Sequence, residues 1–509
     1  MRLYFFLFLS PCFLFAQTDI LNNEIKWMFD SELPDTSVSC VKSFSSDIFI
    51  FDVLRKDTVQ SKYKLINWWF NKDFYTLNKD EYYIKVNPIF DFSKGNQLYF
   101  ASKRGAYLRG GIGNKFRWYS LYYENYANFQ GKTKDVIDFK AVAPGEAEVK
   151  FLEGGYDYSV ANGGFEYEFS KFFTLSFGHG KNFIGDGYRS LLLSDAANSY
   201  PYLKSELNFG KVKYTSIVAE FIDFKNDLIF DGLKRKKYGS FHYLDLSITS
   251  KIKIGLFESV IWAGDSSNRT SIDINYFNPF VVIRPLEYNI GSPDNMLLGV
   301  NASWDITKSV KIYGQGIVDE FHTKNLLENP TWWANKYGYQ IGVKIHKLKS
   351  IPNLVIIAEY NSVRPFTYSH NESSSNYGHN YEALAHPYGA NFREFLGIVN
   401  YRYKRINFNS KLLFIKGGQE RVDSISEGTD IFKPVTNRAE ENGYKIGSGL
   451  SYNQLILDSK LSLILNYNYL MMFDIGYRGR LEHLDSKETT NHFVYFGLRT
   501  SLFNSYYDF

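Results

Sequence analysis

Residues 178–195 read GHGKNFIGDGYRSLLLSD and set His179, Lys181, Asp186, Arg189 and Asp195 among four glycines. Two chemistries could use such a set. Glycines that let backbone N–H groups approach a phosphate would make it a nucleotide cradle. Charged side chains on tight glycine turns would instead make a polar plug, held by Arg–carboxylate bonds. The nucleotide pattern fails on the residues themselves. Gly185-x-Gly187 has Ser190 where a third glycine belongs, and LLLSDAAN follows where a βαβ unit would have to stand. QGKT at 130–133 imitates the end of a Walker loop, but its first glycine position is Tyr126.

Three histidines, His370, His379 and His386, share the stretch YSHNESSSNYGHNYEALAHP with Glu382. A metal centre would need them to converge. Their irregular spacing points to solvated or hydrogen-bonded loop histidines instead, and no metal or other cofactor is expected. No G-x-S-x-G elbow occurs, which leaves a hydrolase only a site assembled from separate strands. The expected protein is not an enzyme. Further charged-aromatic loops hold Arg284, Glu287 and Asp294 (NPFVVIRPLEYNIGSPDN), Arg364 (EYNSVRPFTYSH) and His386 (HPYGANFREF). Arg189, Arg284 and Arg364 stand near Asp186, Glu287 and Glu359 in these loops. Loops of this kind either lock to one another across a pore or form a glycan surface of ring faces and charged forks. His179, Lys181, Asp186, Arg189, Asp195, Arg284, Glu287, Asp294, Arg364 and His386 are the candidates for plug or ligand contacts.

The elements that must carry these loops are strands. From residue 82 to the end, strand-like runs recur, joined by connections that alternate in length. Short polar links are expected at 113–115, 170–171, 210–211, 250–251, 307–309, 347–353, 404–405 and 458–460. Long ones are expected at 130–154, 179–200, 224–236, 264–294, 320–336, 362–392, 417–442 and 473–490. Short turns on one side and long loops on the other are the pattern of an outer-membrane barrel. About eighteen strands result, an even number. A sandwich has no reason to sort its loops this way, and no fixed repeat suggests a solenoid. In HFVYFGLRTSLF, Val494, Phe496, Leu498, Thr500 and Leu502 share one face, expected toward lipid, while Tyr495, Gly497, Arg499 and Ser501 share the other, toward the lumen. The chain closes on Phe509, a final residue of the kind that such barrels present for insertion.

Composition agrees. The chain of 509 residues holds 40 Tyr and 44 Phe, 18% aromatic with Trp, which suits girdles at two membrane interfaces. Lys+Arg 58 against Asp+Glu 54 leaves +4, too small an excess for a nucleic-acid binder. Of two cysteines, Cys12 lies in the leader and Cys40 stands alone, so no disulfide framework exists. MRLYFFLFLSPCFLFAQ reads as an export signal over residues 1–16, and Pro11 before Cys12 disfavours a lipoprotein box. No stretch beyond the leader reaches the ~18 apolar residues of a membrane helix. Residues 17–80 are expected to form a small periplasmic segment or plug with a helix near KLINWWF, and 81–509 the barrel.

Several blocks resemble a known family: YENYANF, the 178–195 stretch with YPYL after it, NPFVVIRPLEYNIGSPDNMLLGVN, YGQGIVDEF, and RPFTYSH through HNYEALAHPYGANFREF. Together they are similar to the RemB-type gliding-motility outer-membrane proteins of Bacteroidota, a group placed with the Wzi-like capsule-assembly family. The resemblance runs from about residue 65 to the C-terminus. SKRG at 102–105 departs from it, since the family more often has Asn-Thr before Arg-Gly. The resemblance implies an eighteen-strand outer-membrane barrel with a helical periplasmic part and no catalytic residues. It implies outer-membrane lipid, surface polysaccharide and gliding machinery as partners, and a role in capsule attachment or motility. An outer-membrane diffusion porin is the alternative function.

Overall fold

A computed structural model describes residues 19–33, 39–43, 58–223, 234–263, 273–278, 294–319, 328–422, 424–485 and 487–508. Alternation is what makes the strands. In Phe392–Tyr403, Glu394, Leu396, Ile398 and Asn400 are buried on one face, while Phe395, Val399, Tyr401 and Tyr403 stand exposed on the other. Period-two patterning of this kind puts one row toward the lumen and the next toward lipid.

Eighteen such strands close on themselves, each antiparallel to its neighbours. In chain order the first six are β1 (Tyr82–Gly95), β2 (Phe100–Ile112), β3 (Phe116–Asn128), β4 (Gly155–Ser170), β5 (Phe173–Gly180) and β6 (Tyr200–Asn208). Then come β7 (Val212–Asp223), β8 (Arg235–Ser247), β9 (Ile252–Ala263), β10 (Asn295–Thr307), β11 (Val310–Val318) and β12 (Tyr337–Ile345). β13 (Leu354–Val363), β14 (Phe392–Tyr403), β15 (Ile406–Gln419), β16 (Leu450–Asn466), β17 (Met471–Leu484) and β18 (Lys487–Thr500) complete the wall. Two short strands, Tyr75–Asn78 and Lys150–Leu152, add to its edges. Among the described residues no helix is long and apolar enough to cross a membrane; the strands cross it. Exposed Leu256, Ile312, Ile341, Phe414, Leu457 and Phe496 belong to the outer apolar belt, and stacked Phe169–Phe173 and Phe172–Phe209 pairs mark its short-turn margin.

The connections sort by length as expected, with one hairpin out of place. The expected turn at 458–460 lies inside β16, and most of the expected loop at 473–490 is strand, β17 as far as Leu484 and β18 from Lys487. Asp458 and Lys460 are polar because they face the lumen. There Asp458 meets Arg478 at 2.8 Å, and Lys460 meets Glu24. The true turn is 467–470. The long-loop end therefore carries two short connections, 96–99 and the one between Leu484 and Lys487, on hairpins that flank the seam between β18 and β1. At that seam the pairing runs only from Tyr495–Gly95 to Arg499–Asp91, whereas β17 and β18 pair from end to end. β1 pairs with Tyr75–Asn78 below it.

An eighteen-strand cylinder is wider than its own side chains can fill. Here the chain fills it with itself. Residues 19–20 and Val41–Ser43 form a small sheet with Asn182–Ile184, and helix α1 (Asn23–Met28) follows, capped by Asn22. Glu24 of α1 binds Arg499, Lys460 and the Ser501 hydroxyl, and Asp30 binds His346 at 2.8 Å and Lys344. A second helix, α2 (Lys64–Asn71), lies at the short-turn end, where Asn466 Nδ2 donates to its Trp69 carbonyl at 2.7 Å. The lipid–lumen alternation of the last strand holds as far as Leu498 and then fails. Thr500 and Leu502 are buried, because the chain leaves the wall and Ser501–Asp508 turn into the lumen against the N-terminal segment. Phe509 lies outside the described residues.

Leu457 stands near the middle of β16 on the lipid side. Leu457→Arg is expected to cost about 2–4 kcal/mol of folding free energy in lipid vesicles, measured by denaturant unfolding. The same change at Leu98, exposed in a rim turn, is expected to cost at most about 1 kcal/mol.

Candidate functional site

The 178–195 stretch leaves the wall at the end of β5 and runs down inside the barrel. It is received by a belt of polar lumenal side chains from five successive strands, β10 to β14. Gln315 accepts from Leu191 N at 2.8 Å and donates to the Ile184 carbonyl at 3.0 Å. Glu359 accepts from the amides of Tyr188 and Arg189 at 2.9 and 3.2 Å. Gln340 donates to the Arg189 carbonyl at 3.0 Å and to Asn361, which in turn donates to Glu394 at 2.9 Å. Asn301, also on the belt, donates to Asp186 at 3.2 Å. Gly187 is needed here, because a Cβ at that position would run into the Glu359 carboxylate.

Arg189 is the centre of the arrangement. Its guanidinium donates to Glu394 at 2.9 Å and to Asp508 at 3.3 Å, and all three groups are fully buried. His386 Nε2 lies 2.8 Å from the same Glu394, and the Tyr188 hydroxyl donates to Asp508 at 2.7 Å. One cation thus joins a loop, the wall and the C-terminal tail. Asp195 is fixed by the tail too, accepting from Tyr506 and Asn504 at 2.7 Å each. Leu191, Leu192 and Leu193 pack beneath Tyr368 and Tyr377, whose hydroxyls donate to the Leu191 and Leu192 carbonyls at 2.8 and 2.6 Å. The 364–391 loop therefore sits as a lid over the 181–199 loop.

The remaining sequence candidates fall in different places. Lys181 donates to the Asp195 carbonyl at 2.9 Å, and His179 on β5 meets Asn162 at 3.1 Å. Asp186 pairs with Lys311 at 3.4 Å rather than with an arginine. Asp294 accepts from Tyr276 at 2.7 Å, apart from the plug. Arg284 and Glu287 lie outside the described residues. Arg364 does not bind Glu359. It donates to the carbonyls of Asn335, Trp332 and Tyr444 at 2.8, 3.4 and 3.3 Å, because the lid around it offers backbone oxygens and Glu359 is already committed to the plug. The histidines do not converge, and among the described residues no cluster of three or more metal-ligating side chains occurs. They are buried rather than solvated. His379 accepts from Ile222 N and donates to the Ser199 carbonyl, and burial takes its pKa down to about 3.

Between lid and rim lies a cavity of about 400 Å³ that the loop residues singled out in the sequence do not define. Helix α3 (Gly131–Lys140) forms one wall, and Glu382, Tyr388, Gln419 and Gln454 face it. Phe139 at its edge is 73% exposed and tilts against Tyr381, which stacks on Phe432 at 4.7 Å. The Lys140 ammonium stands 5.5 Å from the Tyr381 ring centre. Tyr381 holds a left-handed backbone (φ 62°), as do Phe366 and Tyr368 in the same loop. Bulky residues adopt that region only when the surroundings enforce it, and such strain gathers at functional sites. Glu382 ties three loops together, accepting from Gly145 N at 2.7 Å and Asn198 N at 2.8 Å. Burial lifts its carboxyl to about 7, against the opposing pull of those two amides and of Lys140 and Lys181. A ring face, an ammonium and amide groups around one cavity suit a hydroxyl-rich ring with a charged substituent.

No family model matches the chain, and no curated protein matches it in sequence. Solved structures do. The chain is similar to Wzi of Escherichia coli, an outer-membrane protein involved in group 1 capsule assembly and described as a carbohydrate-binding β-barrel. The TM-score is 0.56 at 11% identity, over 95% of this chain and 99% of that one. It also matches OprD of Pseudomonas aeruginosa, with a TM-score of 0.45 at 8% identity over 82% and 94% of the two chains. A third match is OccAB4 of Acinetobacter baumannii, with a TM-score of 0.41 at 9% identity over 83% and 98%. The likeness to Wzi is one of fold.

Arg189→Met would leave the Glu394 and Asp508 carboxylates buried without their cation. It is expected to destabilise the plug by about 3–5 kcal/mol, read as lowered resistance of the loops to limited proteolysis and to denaturant. The Glu382 carboxyl, held near 7 in the folded lid and at its ordinary 4.5 in an unstructured chain, binds its proton more tightly when folded. The lid should therefore be most stable below pH ~4.5, lose stability as pH rises to ~7, and level off above. Hydrogen exchange of the 364–391 loop across that range checks this, and Glu382→Gln should flatten the profile.

Proposed function

We propose that this chain is a non-enzymatic outer-membrane barrel of the Wzi-like kind, whose long-loop face points outward and binds surface polysaccharide. The observation that carries the reading is the cavity lined by Phe139, Lys140 and Tyr388, set on loops that the buried Arg189 network holds rigid. Rigid aromatic and charged groups around a preformed recess lose little entropy when a ligand binds. The fold-level likeness to a barrel described as carbohydrate-binding supports the same reading. In this reading residues 1–16 are the export signal, 17–80 the segment that plugs the lumen and closes the short-turn end, and 81–509 the barrel. The cellular role is attachment of surface polysaccharide or, as the RemB resemblance suggests, gliding motility. The plug and ligand candidates from the sequence serve mainly to hold the loops, and the saccharide meets the cavity above them.

Purified protein on a glycan array is expected to bind polysaccharide, and Phe139→Ala to weaken that binding by about tenfold. Absence of binding to every surface saccharide would remove the reading. The diffusion-porin alternative calls for a steady large conductance in planar bilayers, whereas a lumen filled by residues 19–33, 39–43, 181–199 and 501–508 is expected to conduct little. A deletion strain scored for both spreading and capsule retention separates motility from attachment.

A further inference from the structure

A second cavity, of about 200 Å³, runs inside the wall between β1, β2, β17 and β18 on one side and the C-terminal tail on the other. Its lining reaches from Gln97 and Asn491, beside the two short connections at the rim, to Glu24 and Trp27 on α1. From Asn491 to Arg499 along one tilted strand this is a depth on the order of 20 Å. The space holds on the order of a dozen waters. α1 closes the inner end, where Glu24 is bound to Arg499 and Lys460. The cavity is a blind shaft that opens on the side of the barrel with the lowest loops.

Charges in the shaft are mostly settled in pairs. Arg478 holds Asp458, Lys103 holds Glu146, and Lys132 holds Glu482 at 3.4 Å. Arg480 is different. It is 9% exposed and lines the shaft, and its hydrogen bond goes to the Tyr507 carbonyl at 3.2 Å. Its Nε has no hydrogen-bond partner, and it has no carboxylate partner among the described residues. Asn125, 3% exposed and on the same lining, presents an Oδ1 without a partner. A buried guanidinium N–H and a buried carbonyl left unmade are costly. Arg480, on the lining and without an ion-pair partner among the described residues, complements an anionic oxygen, and Asn125, on the same lining, a hydroxyl. Phe129, Phe493 and Tyr99 supply ring faces in the upper shaft, with Tyr99 and Phe493 edge to face at 4.9 Å.

We propose that the shaft is a binding site for the charged terminal unit of a saccharide, taken end-on, with Arg480 receiving its carboxylate or phosphate and Asn125 a neighbouring hydroxyl. The inference rests on the carbohydrate-binding reading above and adds a site, a charge requirement and a polarity. A blind shaft admits a chain end and excludes a chain middle.

The test uses the full chain in detergent, with the folded fraction checked by heat-modifiable gel mobility. Short and long oligogalacturonates, a hexose phosphate and neutral malto-oligosaccharides are titrated by calorimetry at low and high salt. The carboxylate and phosphate arms separate the two sources of the anion. Charged ligands are expected to bind more tightly than neutral ones, and short and long oligogalacturonates equally tightly per molecule. Arg480→Gln is expected to weaken the charged ligands by at least about tenfold, and Asn125→Asp, which adds a repelling carboxylate without shortening the side chain, to weaken them as well. If saccharides bind but both variants bind charged ones as the parent does, the shaft is overturned while the outer-cavity reading stands. An affinity that grows in proportion to oligomer length overturns end-on binding. If no saccharide binds in any arm, both readings fall.

Discussion

The guanidinium of Arg189, buried against the carboxylates of Glu394 and Asp508, joins a loop, the barrel wall and the C-terminal tail at one point. Taking those charges out of water is expensive, and their mutual attraction offsets the expense only when hydrogen bonds meet the remaining polar atoms. The surroundings provide them. His386 and Asn361 serve Glu394, Tyr188 and Lys411 serve Asp508, and the Arg189 backbone is held by Glu359 and Gln340. The rest of the interior depends on this node. A cylinder of eighteen strands leaves a wide lumen, and a filling of loops can be rigid only if its polar groups are bound from within.

The two ends of the described chain serve the same purpose. Asn22 and Asn23 bind Ser501 and Asn504, and Glu24 binds Ser501 and Arg499. The N-terminal segment and the tail lie side by side in the lumen, and the 178–195 stretch rests on both through the Asn182–Ile184 strand and Asp195. Rigidity of the outer loops follows from this layering. The lid rests on the plug loop, the plug loop on the polar belt and the terminal segments, and these on the wall.

Much of the wall was legible in the sequence. Strands such as β14 alternate cleanly because lipid and lumen ask for opposite residue types, and most connections sort by length. The hairpin at 458–470 was not legible. Asp458 and Lys460 look like turn residues along the chain and become lumenal residues only once Arg478 and Glu24 are brought opposite them. Nor was the inward turn after Thr500, since Leu502 suits a packed lumen as well as lipid. Within the site, the plug role of the glycine-rich stretch could be read from its own residues. Its partners could not, because Glu394 and Asp508 lie 205 and 319 positions away from Arg189. Arg364 misled for a simpler reason: a guanidinium is satisfied by carbonyl oxygens as readily as by a carboxylate. The outer cavity was not legible because Phe139, Tyr388 and Thr429, which line it, come from three separate loops, and each alone is unremarkable.

The short pairing of β18 with β1 also bears on mechanics. Among the ladders between neighbouring wall strands this one is the shortest, from Tyr495–Gly95 to Arg499–Asp91, so it is the line along which the fewest backbone bonds must break. Under lateral tension in the bilayer, or when pulled by a surface polymer, the cylinder would tear along that line first. The knot of terminal segments behind it would then act as a rivet, keeping the two margins from springing apart.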